Sequence, residues 1–138
     1  MSQLIGLVTV LVPSYTTGIQ FFCNTLGFQL IEDTALDDTK RWVVVAPSGD
    51  RGTCLLLAQP ADEAQAAQVG KQTGGRVGFF LYTSDLQSDY QALQAKGVEF
   101  VRTPQTNEYG QVAVFKDCSG NLWDLLQPTA SNVAAAGL

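Results

Sequence analysis

The sequence predicts an α+β fold made of two βαβββ modules, because one short pattern of residues occurs twice. The stretch Gly120–Pro128 (Gly-Asn-Leu-Trp-Asp-Leu-Leu-Gln-Pro) resembles Gly52–Pro60 (Gly-Thr-Cys-Leu-Leu-Leu-Ala-Gln-Pro), which lies 68 positions earlier. Each stretch starts at a glycine and ends at a Gln-Pro pair, as expected of a strand bounded by turns. A strand, a helix and two further strands precede each copy in the same order. The chain therefore contains one supersecondary unit used twice.

The first module is predicted over residues 4–60. Residues 5–12 are rich in β-branched side chains and predict a buried strand. Ser14 is placed to cap the helix that follows, and Gly27 to end it. The remaining elements are three strands at 28–32, 41–46 and 53–59, a polar, acidic loop at 33–40, and a turn at Pro47-Ser48-Gly49.

A connector over residues 61–76 joins the two modules. Its first part suits a short helix, with Pro60 and acidic residues at the positive end. Residues 70–75 are rich in glycine and predict a flexible loop. We expect the whole chain, residues 1–138, to form a single domain.

The second module is predicted over residues 77–128. Ser84 and Gln87 have the capping-box spacing that begins a helix, and Gly97 ends it. The other elements are strands at 77–83, 98–102, 111–116 and 122–127, a loop at 103–110, a turn at 117–120, and a frayed tail at 129–138.

Composition excludes several classes of protein. Apolar residues make up 46% of the 138 and charged residues 15%, which is typical of a globular protein. The net charge of −5, without a cluster of lysine and arginine, opposes binding to nucleic acid. The apolar run from Leu4 to Pro13 is too short to span a membrane and lacks the features of a signal peptide. We therefore expect a cytoplasmic protein without a membrane partner.

The chain contains no histidine. This excludes Ser-His-Asp and Cys-His catalysis and removes the commonest metal ligand. The three cysteines, Cys23, Cys54 and Cys118, are far apart and odd in number, so no disulfide framework is expected. Cys118 lies in a predicted turn, but there is no histidine to activate its thiol.

Several short motifs occur in a fixed order over residues 4–128. They are Val8-Thr-Val-x-Val-Pro13, Phe21-Phe22 before Leu26-Gly27-Phe28, Tyr90-x-x-Leu93-x-x-x-Gly97-Val98-x-Phe100, Tyr109-Gly110 before Asp117-x-x-Gly120-Asn121, and Asp124-Leu-x-Gln127. In this order they resemble the vicinal oxygen chelate superfamily, which includes glyoxalase I, bleomycin-resistance proteins and extradiol dioxygenases. The resemblance implies two βαβββ modules that form a U-shaped half-barrel around a cavity. It also implies a homodimer.

The resemblance bears on metal binding as well. Metal-dependent members of the superfamily hold a divalent ion with histidine and glutamate side chains at positions that match Leu7, Leu56, Gly78 and Asp124. Only Asp124 can act as a ligand here, whereas zinc, nickel and iron sites take three or four protein ligands. The resemblance therefore implies a member without a metal site, and we expect no cofactor.

Strand alternation, combined with the resemblance, places one set of side chains around the cavity. The set is Leu7, Thr9, Leu11, Leu56, Gly78, Phe80, Tyr82 and Asp124. This apolar and aromatic lining suits a small organic molecule, and Asp124 can pair with a cationic or hydroxyl group on it. The alternative for Asp124 is a structural acid, either capped or salt-bridged, near Arg41 or Arg102.

Four further residues are candidates for ligand contact. Trp42 and Trp123 offer stacking surfaces, although strand parity is equally consistent with the helix-packed face. Arg41 and Tyr109 begin strands near the rim of the predicted cavity. Arg41 either pairs with an anionic group on the ligand or is a solvated surface residue.

Three functions remain open, and the favoured one is a metal-independent binding protein that holds an organic ligand, for example a cationic or aromatic one. The second is a glyoxalase-like lyase or isomerase, or a dioxygenase-type enzyme, that uses Asp124 with a weak or atypical metal site. A metal-free enzyme with Asp124 as the base and Tyr82 or Tyr109 as the acid belongs to the same class. The third is a regulatory domain whose cavity is vestigial.

Overall fold

The computed structural model describes residues 2–47 and 52–129, which divide into two compact units between residues 70 and 71. Ser48 and Gly49 of the predicted turn lie outside the described residues. Residues 130–138 of the predicted tail lie outside them too. The boundary between the units falls inside the predicted connector.

The first unit is a four-stranded sheet covered by one helix. Strand β1 (Leu7–Leu11) leads into α1 (Tyr15–Ile19), which continues as a π-helical segment (Gln20–Thr25), and the other elements are β2 (Gln29–Ala35), β3 (Arg41–Ala46), β4 (Cys54–Ala58) and the short α2 (Glu63–Ala66). The strand order is β1-β4-β3-β2. Strands β1 and β4 are parallel, and the other pairs are antiparallel.

The second unit repeats this architecture. Its elements are β5 (Val77–Tyr82), α3 (Leu86–Ala95), β6 (Phe100–Asn107), β7 (Gly110–Lys116) and β8 (Leu122–Pro128). The strand order β5-β8-β7-β6 and the single parallel pair, β5 with β8, match those of the first unit. The predicted α+β class and the twofold use of one βαβββ unit are confirmed.

Each sheet buries one face under its helix. In the first unit that face carries Val10, Val43, Val45, Leu55 and Leu57, and in the second it carries Ala113, Phe115, Trp123 and Leu125. Gly18 lets α1 lie close to the first sheet, because a Cβ atom there would meet Val12 and Leu57 at 3.0–3.1 Å. The opposite face of each sheet, called the open face below, is less covered, since Thr9 and Phe80 on it are exposed.

The repeated Gln-Pro pair has a structural purpose. Oε1 of Gln59 accepts a hydrogen bond from the amide N–H of Tyr15 at 3.2 Å, and Oε1 of Gln127 accepts one from Leu86 at 2.8 Å. Tyr15 and Leu86 are the first residues of α1 and α3, and the N–H groups there have no acceptor within the helix. The end of each last strand therefore fixes the start of the helix that covers its own sheet.

Three local predictions were wrong. Strands β2 and β6 run on through residues 33–35 and 103–107, which were predicted as loops. The N-cap of α3 is Asp85 and not Ser84, because the Asp85 side chain accepts from the amide of Ser88 at 3.1 Å. The helix of the first unit also changes to π-helical pairing, with the Leu26 N–H bonded to the Phe21 carbonyl at 2.9 Å. It has one residue more than the helix of the second unit between its N-cap and its closing glycine, and a π turn accommodates such an insertion.

In the part of the chain that the structure describes, no helix is long and apolar enough to cross a membrane.

Candidate functional site

The open face of the second unit brings a carboxylate next to aromatic side chains. In the sheet register, Asp124 on β8 lies between Phe80 on β5 and Val114 on β7, and Arg102 on β6 is opposite Val114. Tyr82 is two positions beyond Phe80 and shares its face. Phe80 is 58% exposed and Tyr82 45%, which is unusual for aromatic rings on a sheet. The two rings and the carboxylate therefore share one face of this sheet.

The carboxylate of Asp124 is partly desolvated and has no counterion in contact. Burial raises its pKa above the ordinary value, and the positive charge of Arg102 opposes this rise. Within the described residues the ion pairs are Arg41–Asp33 and Lys116–Glu99, so Arg102 acts on Asp124 only through space. The salt-bridged alternative for Asp124 is wrong for Arg102.

We expect Asp124→Asn to stabilise the protein at neutral pH. A carboxyl group whose pKa is higher in the folded than in the unfolded chain destabilises the fold wherever it is ionised. The penalty is complete above the raised pKa and absent below the ordinary value of 3.8. The gain in the free energy of unfolding should therefore be present at pH 7 and shrink towards zero as the pH falls through this range.

Urea denaturation of the wild type and the variant at a series of pH values measures this difference. Asp38→Asn, which removes an exposed carboxylate from the β2–β3 turn, is the matched control. A loss of stability in Asp124→Asn at pH 7 would mean that the ionised carboxylate makes a favourable contact. This result would contradict the expected penalty for burying its charge.

The open face of the first unit is mostly apolar. Thr9 on β1 is in register with Leu56 on β4, and Leu56 with Val44 on β3. Leu7 and Leu11 are each two residues from Thr9 on β1, and Trp42 is two residues from Val44 on β3. All three side chains therefore share this face. The structure thus brings Leu7, Thr9, Leu11, Leu56 and Trp42 together within this unit, as it brings Phe80, Tyr82 and Asp124 together within the other.

Gly78 was predicted to line the open face, but it lies where the pairing of β5 with β8 is irregular. The register slips by one residue between Val77 and Phe79, so Gly78 is the extra residue of a β-bulge. A Cβ atom at this position would collide with the side chain of Thr73, which comes from the connector. The space next to Gly78 is therefore already filled.

The residues of this chain do not fit the metal site of the metal-dependent members of the superfamily. Of the four matching positions only Asp124 carries a donor, and the Gly78 position has no room for a side chain unless Thr73 moves. Among the described residues no group of three or more histidine, cysteine, aspartate or glutamate side chains comes together. Leu7, Leu56 and Gly78 therefore offer no ligating side chain at three of the four superfamily positions.

Three candidates lie away from both open faces or outside the strands. Arg41 has the parity of the helix-packed face, donates to Asp33 from Nε at 3.1 Å, and lies 5.1 Å from the centre of the Tyr15 ring. Tyr109 is in the two-residue turn between β6 and β7 and does not begin a strand. Trp123 is only 3% exposed and packs against Phe115 on the helix-packed face. A ligand on the open face does not reach the Trp123 ring.

The turn before β8 holds a buried acid whose importance the sequence analysis missed. The Asp117 carboxylate accepts hydrogen bonds from the Asn121 side chain at 3.1 Å and from Nε1 of Trp123 at 2.9 Å. Its neighbour Cys118 is half-buried, and burial together with the charge of Asp117 raises the pKa of that thiol to about 11. Cys118 is therefore protonated at neutral pH and is no nucleophile.

Comparison with known proteins gives a consistent result. Residues 4–125 match the model of the glyoxalase/bleomycin resistance protein/dioxygenase superfamily. An uncharacterized protein of Shewanella frigidimarina (strain NCIMB 400) is 49% identical over 128 residues, which is 92% of this chain and 95% of that protein. The crystal structure of UcmS2 is 26% identical with a TM-score of 0.80, over 91% of this chain and 98% of the other. That of TnmS3, an antibiotic binding protein from Streptomyces sp. CB03234, is 29% identical with a TM-score of 0.75, over 93% and 98%.

Proposed function

The chain belongs to the glyoxalase/bleomycin resistance protein/dioxygenase superfamily, and from this premise we propose that it is a metal-independent binding protein for a small organic molecule. The proposed site is the open face of the second unit, with the ligand stacked on Phe80 and Tyr82 and paired with Asp124. The observation that carries the proposal is the position of Asp124, a partly buried carboxylate without a counterion beside an exposed aromatic ring.

The chemistry of this site favours a ligand with a flat apolar part and a hydrogen-bond donor or positive charge. Exposed aromatic rings gain most by stacking against another apolar surface. A carboxylate that is partly removed from water binds a donor more strongly than a solvated one does, because the local dielectric constant is lower. The description of TnmS3 as an antibiotic binding protein supports an organic ligand of this general class.

Metal independence is supported by the donor set. Three of the four positions that would hold a metal in the superfamily carry Leu7, Leu56 and Gly78, none of which has a ligating side chain. We therefore propose that binding needs no cofactor.

A second candidate function is catalysis. The raised pKa of Asp124 is a property that a general base needs, and Tyr82 is an exposed phenol on the same face. The reaction would be of the lyase, isomerase or dioxygenase kind found in the superfamily. It would have to proceed with Asp124 as its one carboxylate, alone or with a weakly held ion.

We expect aromatic cations or hydroxylated aromatic compounds to bind, and Asp124→Asn to weaken the best of them by about tenfold or more. The estimate follows from the loss of a hydrogen bond to a charged group, about 1.5–3 kcal/mol. A thermal-shift screen of such compounds, followed by calorimetric titration of the hits, measures it. Glu108→Gln removes an exposed carboxylate from the β6–β7 turn and is the matched control.

Elemental analysis of tag-free protein tests the metal-independent part. Near-stoichiometric zinc, nickel, manganese or iron that is lost in Asp124→Ala would overturn it and favour the enzyme. A hit whose binding is the same in the wild type and Asp124→Asn would remove Asp124 from the site. Consumption of a bound compound by the wild type but not by Asp124→Asn would establish the catalytic alternative.

We also propose that the protein acts in the cytoplasm as a homodimer. Each sheet ends at two edge strands, β1 and β2 in the first unit and β5 and β6 in the second, and edge strands favour pairing. Light scattering coupled to size-exclusion chromatography gives the mass that decides between monomer and dimer.

A further inference from the structure

The open face of the first unit leaves part of a tryptophan side chain accessible. Trp42 on β3 is 37% exposed, whereas Trp123 is 3% exposed. Within the described residues the indole of Trp42 makes no ring contact, cation–π contact or hydrogen bond. An exposed indole of this kind is the aromatic surface that binds a positive charge best.

A carboxylate lies next to this indole. Trp42 is in register with Thr34 on the edge strand β2, and Glu32 is two residues from Thr34 on the same strand and the same face. Glu32 is thus the diagonal neighbour of Trp42, at a separation of about 7–8 Å between Cα atoms, which long side chains can span.

Glu32 is held in place but not neutralised. The hydroxyl of Thr34 donates to Oε2 of Glu32 at 3.0 Å. The described residues place no lysine or arginine within ion-pair distance of it, since Arg41 is paired with Asp33 on the other face. The carboxylate therefore has no ion-pair partner among the described residues.

From this geometry we propose that Trp42 and Glu32 form a binding site for an organic ammonium group, separate from Asp124. The indole face attracts the cation and its methyl or methylene groups, and the carboxylate supplies the opposite charge. The inference rests on the proposed function, because it assigns a ligand class to the open face of the first unit in a protein that binds small molecules.

The charges around Trp42 favour a cation over the other possible occupants. An anionic ligand would be repelled by Glu32. A neutral aromatic compound would stack on the indole but would gain nothing from the carboxylate. A second copy of the chain, or any other cover that excludes solvent, would keep the indole from small molecules.

Choline and its uncharged isostere, 3,3-dimethylbutan-1-ol, are the probes. The two indole N–H signals in a ¹H–¹⁵N correlation spectrum are assigned with Trp42→Phe, because the chain has two tryptophans. We expect the Trp42 signal to move with choline and to stay in place with the alcohol. The Trp123 signal should stay with both, since its N–H is buried and bonded to Asp117.

Glu32→Gln and Trp42→Leu should each weaken choline binding by about twofold to fivefold. Glu108→Gln, which removes the same charge elsewhere, should leave it unchanged. Glu32 is on an exposed edge strand, so its variant is expected to fold, and the unshifted Trp123 signal reports this directly.

Four results would overturn the inference. Three are equal shifts with choline and the alcohol, unchanged choline affinity in Glu32→Gln, and no shift of the Trp42 signal at any choline concentration. The fourth is loss of choline binding in Asp124→Asn but not in Glu32→Gln, which would leave the proposed function intact. If no compound binds in the ligand screen while choline still shifts the Trp42 signal, the proposed function is overturned and the inference about Trp42 and Glu32 stands.

Discussion

Replacing Asp117 by alanine is expected to lower the free energy of unfolding by about 3 kcal/mol or more. Asp117 is 6% exposed, and its carboxylate accepts four hydrogen bonds. They come from the amides of Ser119 at 2.9 Å and Asn121 at 3.0 Å, the side chain of Asn121 at 3.1 Å, and Nε1 of Trp123 at 2.9 Å. Alanine would leave these donors without an acceptor, several of them away from water.

Urea denaturation followed by circular dichroism measures the loss. Asp62→Ala is the control, because Asp62 caps the short α2 with one exposed hydrogen bond and should cost about 1 kcal/mol. Asp117→Asn keeps one acceptor oxygen and should fall between the two. If Asp117→Ala costs no more than Asp62→Ala, water replaces the lost carboxylate and the site is less buried than its exposure implies.

The sequence predicted only the local part of the role of Asp117. The Asp117–Gly120 turn was predicted because aspartate is favoured at the first and glycine at the last position of such a turn, and the structure adds the bond from the Ser119 amide to the aspartate side chain. The bond to Trp123 depends on which face of β8 the indole occupies. The alternation of side chains along the strand did not decide which face Trp123 occupies. That face follows only from the pairing of β8 with β7.

The open faces could be predicted where strands are regular. Strands β1, β4 and β8 pair without a shift over the residues concerned, so alternation correctly grouped Thr9 with Leu56 and, on the other sheet, Phe80 with Asp124. It failed at Gly78, where a bulge breaks the period. No composition signal marks that bulge apart from the glycine itself.

The edge strands were the least predictable elements. All residues of β2 are exposed, so its sequence has no buried face and none of the alternation that reveals a strand. Residues 33–35 were therefore assigned to a loop, and the place of Glu32 beside Trp42 was hidden. The extension of β6 through residues 103–107 was missed in the same way, although Arg102, inside the predicted strand at 98–102, was already a candidate neighbour of Asp124. The register with the central strands then places Glu32 diagonal to Trp42 and Arg102 opposite Val114.

Replacing Gly110 by alanine should also cost about 3 kcal/mol or more, for a different reason. Gly110 begins the central strand β7 with a φ of 143°, which side chains rarely tolerate. An added Cβ would collide with the Gln127 carbonyl oxygen and lie 3.0 Å from the Pro128 Cα, and both of these are backbone atoms of the paired strand β8. The energetic costs of backbone strain and overpacking then add, because neither strand can move without losing the hydrogen bonds that pair β7 with β8.

Gly27→Ala separates the two contributions to this cost. Gly27 also has a positive φ, 81°, but a Cβ atom there would have no neighbour within 4 Å. Its variant should therefore lose only about 1–2 kcal/mol, the cost of the left-handed conformation alone. Comparison of the two variants by urea denaturation isolates the collision with β8. Equal losses would mean that β8 yields at Gln127, and the same movement would then weaken the hydrogen bond by which Gln127 fixes the start of α3.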